Sequence, residues 1–67
     1  MLMTTVIDTI DADSVEVNDH VNIDGIFGRV NAVEDLGDMI IITLLNDSDG
    51  EIEAYPLFAN DRVALLG

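Results

Sequence analysis

Three clusters of side chains in this sequence are of types that can do chemistry. Asp47-Ser48-Asp49-Gly50-Glu51 opens like a calcium-binding loop. Such a loop needs oxygen ligands through its twelfth position and a helix on each side. Counted from Asp47, the twelfth position is Phe58, which has no oxygen to give, so the run reads as a hairpin turn. His20 is the single histidine, beside Asp19. A catalytic histidine works with a nucleophile and an orienting group. The two serines, Ser14 and Ser48, lie in no nucleophile context, so His20 reads as a partly exposed strand residue. Glu51 and Glu53 are spaced to share one face of a strand, about 6.8 Å apart along it. Paired carboxylates can act as acid and base, but fourteen acids guarantee close pairs by chance, and a solvated face explains these two. A domain this small is also expected to lack room for a pocket of a few hundred Å³. The sequence therefore predicts no catalytic residues, no metal ligands and no cofactor.

Composition narrows the function further. The chain has 67 residues, 14 acids, two arginines and no lysine, for a net charge of −12. Holding a nucleic-acid backbone takes several Lys or Arg contacts, and an anionic membrane surface repels the same charge. Without cysteine there is neither a disulfide nor a thiolate metal site. So acidic a chain invites a disordered reading. Eight Ile and seven Val oppose it, since they are apolar surface that folding would bury. One small domain is expected, with a core of marginal size. No basic stretch precedes the first apolar residues, so no secretory signal is expected. The longest apolar stretch, 39–45, is too short for a bilayer. The expected location is the cytoplasm, or a host cytoplasm or virion for a phage-encoded chain.

The elements that would carry these residues are strands. Val6–Ile10 is β-prone, and 11–14 reads as a turn or a single helical turn. Asn18-Asp19 turns the chain into His20–Ile23, and Asp24-Gly25 closes a hairpin. A strand over 27–35 breaks strict alternation, which predicts a bulge near Asn31-Ala32 with Gly28 helping the bend. Met39–Leu45 is the strongest strand. Residues 46–50 turn it, 51–55 return with clean alternation, and Pro56 is expected to end that strand. A 3₁₀ turn is expected over 57–61 before a last strand at 62–66. Strands about ten residues apart with short turns predict an all-β fold, a small antiparallel barrel of five to six strands. Within a single domain, residues 1–14 are expected to form an N-terminal strand and turn segment, and 15–67 the barrel.

The run Val17-Asn18-Asp19-His20-Val21, then Gly25, Gly28-Arg29-Val30 and Val33, then Gly37-Asp38 before 40–44, resembles a Src-homology-3-like small β-barrel. The Asp49-Gly50 hairpin fits the same pattern, and the resemblance covers residues 15–66. Asn18-Asp19 stands where Gly-Asp is usual, a mild departure because Asn tolerates a left-handed conformation. The resemblance implies the kind of barrel found in acidic actinobacterial and phage proteins. Peptide-binding members use an aromatic groove, whereas this chain has only Phe27, Tyr55 and Phe58.

The most informative stretch for function is Met39-Ile40-Ile41-Ile42-Thr43-Leu44-Leu45. Alternation sends Ile40, Ile42 and Leu44 into the core and Met39, Ile41 and Leu45 outward, joined by Tyr55 or Leu66. Apolar patches of this kind mark interfaces; residues 2–10 folding back would instead cover this one. The candidate interaction residues are Met39, Ile41, Leu45 and Tyr55 with the acids Asp47, Asp49, Glu51 and Glu53. The expected function is a non-enzymatic, acidic protein-interaction module with a basic or apolar protein partner. Two other readings stay open. One is a DNA mimic, since about twelve charges match ~20 Å of duplex at one per about 1.7 Å. The other is a homo-oligomer or particle decoration. Ten of the acids are Asp, and many fall in turns for backbone reasons. Arg29 and Arg62 are expected to pair with acids.

Overall fold

The computed structural model describes residues 6–67. They form six strands: β1 (Val6–Asp11), β2 (His20–Ile23), β3 (Ile26–Asp35), β4 (Met39–Asn46), β5 (Ile52–Phe58) and β6 (Arg62–Leu66). All pairings are antiparallel in one sheet of order β1-β6-β2-β3-β4-β5. The all-β antiparallel fold is the expected one, but the sheet does not close. β1 and β5 are edges, so "barrel" describes its curl only.

Local sequence explains the turns. β2 and β3 are joined by Asp24-Gly25, both at positive φ (56° and 88°), the pair of left-handed conformations a two-residue hairpin requires. The Asn22 carboxamide accepts the Gly25 N–H at 2.9 Å and locks the turn. Asn18 also takes a positive φ, and its turn is pinned to β3: Asn18 N–H donates to Val30 O, and Val30 N–H to Asp19 O. The register of β3 against β4 shifts between Val30 and Ala32, which places the expected bulge at Asn31. Gly28 is required for another reason than the bend. A Cβ there would lie 2.6 Å from the Leu45 carbonyl oxygen, so only glycine lets β3 and β4 approach so closely.

The core is one aliphatic cluster. Ile40, Ile42 and Leu44 are fully buried along β4, and Val21, Ile23, Val30 and Val63 meet them from the neighbouring strands. Ala12 and Val15 close one end. Ala12 sits in a short 3₁₀ helix, Ala12–Ser14, held to the β5–β6 turn by Ala12 N–H to Asp61 O and Asp13 N–H to Ala59 O.

Two local expectations are corrected. The 3₁₀ turn lies at Ala12–Ser14, after β1, not at 57–61. Leu57 and Phe58 remain in β5, and a tight turn follows, with Asp61 N–H donating to Phe58 O and Phe58 N–H to the Asp61 carboxylate. Nor does Pro56 end its strand: β5 runs through it to Phe58. Asn46 N–H bonds Glu51 O at one end of the β4–β5 ladder and Ala59 N–H bonds Asp38 O at the other. Antiparallel alternation between them turns the backbone groups of 52, 54, 56 and 58 outward. The amide position that Pro56 lacks thus faces away from β4, where an edge strand tolerates proline.

Both edges are blunted against further strand pairing. On β5, Pro56 offers no donor and the Phe58 N–H is taken by Asp61 at 2.9 Å. On β1, Asp8 accepts the Thr9 N–H at 2.8 Å, and Arg62 donates to Thr9 O at 2.7 Å. A register shift between Val6 and Asp8 breaks that ladder further.

Candidate interaction face

With both edges blunted, the sheet faces are the larger surfaces on which a partner can dock. Alternation along β4 separates the faces. The inward residues Ile40, Ile42 and Leu44 are buried; Met39 and Ile41 are half-buried and Leu45 is exposed on the outer face. Register extends that outer face across β5, where Ile52 opposes Leu45, Ala54 opposes Thr43, Pro56 opposes Ile41 and Phe58 opposes Met39. On β3, Arg29 opposes Leu45 and Glu34 opposes Ile41, and Phe27 lies two residues beyond Arg29. Phe58 is 61% exposed, Ile52 58%, Leu45 43% and Phe27 41%. The result is an apolar strip along β4 and β5.

Acidic turns end this strip on both sides. The β3–β4 connection carries Asp38 beside Met39 and Phe58. The β4–β5 turn carries Asp47 and Asp49 beside Leu45 and Ile52.

Of the expected interaction residues, Met39, Ile41 and Leu45 share the outer face, and Asp47 and Asp49 border it. Tyr55, Glu53 and Glu51, which follow one another in the same alternation, do not. Tyr55 opposes the buried Ile42 and packs against the core from the inner side, and Glu53 opposes the buried Leu44. Leu66, also expected outside, is buried. Residues 6–11 do not cover the strip, since they pair with β6, three strands away from β4. The rest of the 2–10 segment lies outside the described residues. Sequence reading missed Phe58, Ile52 and Pro56: putting Glu51, Glu53 and Tyr55 outward turned Ile52 inward, and ending the strand at Pro56 left Phe58 out.

The acidic turn shows how its carboxylates are used. Asp49 accepts the Glu51 N–H at 2.9 Å, and Asn46 accepts the Ser48 N–H at 2.8 Å. Asp47 pairs with His20 Nε2 at 2.6 Å, across the end of β3. This is hairpin construction. Among the described residues no group of three metal-ligating side chains converges. Asp8, Asp19, Asp35 and Asp61 likewise each accept a backbone N–H. Arg62 pairs with Asp11 at 3.0 Å, as expected. Arg29 instead donates to the Asn18 carbonyl at 2.7 Å and braces the turn before β2.

The inner side holds a second feature. Because β5 finds no partner to close the sheet, a groove of about 380 Å³ opens between it and the β2–β3 turn, lined by Tyr55, Leu57, Ile23 and Val63 with Asp24, Asp61 and Arg62, and reaching the edge residue Pro56. A space of that size is larger than the sequence led us to expect, and incomplete closure is its cause. The Tyr55 hydroxyl donates to Glu53 at 3.3 Å. Partial burial first, then the charge of Glu53 and its hydrogen bond, then Asp49, push the phenol above its ordinary 10.0. Asp61 and Arg62 are already engaged, with Phe58 N–H and with Asp11 and Thr9 O.

No family model matches this chain, and no curated protein or solved structure matches it either.

Proposed function

We propose that this chain is a non-enzymatic protein-interaction module that docks through the outer face of β3, β4 and β5. The observation that carries the reading is the strip of Met39, Ile41, Leu45, Ile52, Pro56 and Phe58, assembled on one solvent-facing side by the β4–β5 register. Large apolar side chains exposed together are a cost to a free domain and a gain to a complex. Burial of such a strip supplies affinity, while its acidic ends steer encounter with a basic partner. The blunted edges support the same reading, since they direct binding to side-chain packing. The resemblance to Src-homology-3-like barrels is consistent with a binding role.

The test compares capture of partners from native lysate by the wild-type chain, by Phe58→Ser and Leu45→Ser on the strip, and by Ile7→Ser on exposed β1. The proposal predicts a partner lost with both strip variants and kept with Ile7→Ser. A partner retained equally by all four chains contradicts it.

A further inference from the structure

The strip has dimensions and charge that select its occupant. From Met39 to Leu45 it runs six strand residues, about 20 Å. Its two strands, β4 and β5, each occupy about 5 Å, so it is about 10 Å across, with Arg29 and Glu34 of β3 along one side. A helix is about 10–12 Å in diameter with its side chains and covers 20 Å in about 13 residues. The strip is therefore one helix wide and about four turns long.

Charge decides whose helix it is. Asp38 lies at one end, and Asp47 and Asp49 at the other. If two copies met through this face, acidic turns would meet acidic turns in either orientation, with −12 on each chain. The described residues also contain no α-helix to offer. Resting on the docking face proposed above, we infer that its occupant is an amphipathic helix of a different protein, apolar along one side and basic at both ends.

The probe is a fluorescently labelled 18-residue peptide with Leu at i, i+3, i+4 and i+7 through its centre and two Lys at each end. Its control has the same composition and the same terminal Lys, with the central residues scrambled to break the apolar stripe. Anisotropy titration reads affinity, and circular dichroism reads helix formation. The patterned peptide should bind at least about tenfold tighter than the scrambled one and gain helix on binding. Ile41→Asp and Phe58→Ser should both remove that difference. Phe58 is the more exposed of the two, so its variant is the folded control if Ile41→Asp unfolds. The unliganded chain should sediment as a monomer.

Equal affinity for the two peptides overturns the inference, because charge alone would then account for binding. A dimer that Phe58→Ser dissociates overturns it in favour of a second copy, while the docking face stands. Failure of the face itself reads differently, as a lysate partner that the strip variants retain.

Discussion

Single residues in this protein are placed by backbone needs that their type satisfies. Tyr55 offers the cleanest readout, as the one tyrosine in a chain without tryptophan. Its phenol is raised by partial burial and by Glu53, so the folded state holds the proton more tightly than the unfolded chain. That contribution to stability is complete below pH 10 and is lost as pH rises through the folded value. Absorbance titration near 295 nm should give a midpoint above 10, and Glu53→Gln should lower it. A second residue-scale expectation concerns Gly28. Gly28→Ala brings a Cβ within 2.6 Å of backbone that cannot step aside, and overpacking of this kind costs about 1–3 kcal/mol. Urea denaturation of the variant checks it. Asp61→Ala leaves Phe58 N–H without its partner and should cost about 1 kcal/mol, while Asp61→Asn keeps an acceptor oxygen and should recover most of it.

At the scale of elements, β4 organises the molecule. Its inward residues fill the core and its outward residues make the strip, so one alternating heptapeptide sets both stability and surface. Ile42→Ala should cost about 2–5 kcal/mol, against about 0.5–1.5 for Ile42→Val. In a domain of this size the larger loss should leave the alanine variant largely unfolded, visible as loss of the β circular dichroism signal. β2 and β4 were legible from unbroken period two, the Asp24-Gly25 hairpin from its turn chemistry, and the bulge at Asn31 from the break in period two along β3. Legibility failed where tertiary position decided. Pro56 stops a central strand but not an edge strand, and sequence alone does not say which strand is the edge. The same misreading assigned 57–61 to a 3₁₀ turn and removed Phe58 from the strip. Closure of the sheet depends on whether its two outer strands meet, which no local pattern encodes. Half of the candidate site was thus visible, the part on β4 and in the acidic turn. The part on β5 needed the register.

For the whole molecule, charge and apolarity divide the labour. Asp8, Asp19, Asp35, Asp49 and Asp61 each hold a backbone amide, so much of the acidity serves the turns. The scarcity of positive charge remains, with Arg62 bonded to Asp11 and Arg29 bracing a carbonyl. A folded body carrying −12 repels itself, and salt screens that repulsion over about 10 Å at 0.1 M. Its melting temperature should therefore rise between 10 and about 150 mM sodium chloride, which calorimetry would show. On the proposed reading the apolar strip, rather than an edge or the inner groove, meets the partner. Covalent footprinting of the chain, free and in its native complex, tests it most directly. We predict that labelling falls at Met39, Leu45 and Phe58 and is unchanged at Ile7 and Val17; protection at Ile7 or Val17 with Met39, Leu45 and Phe58 unchanged would contradict the account.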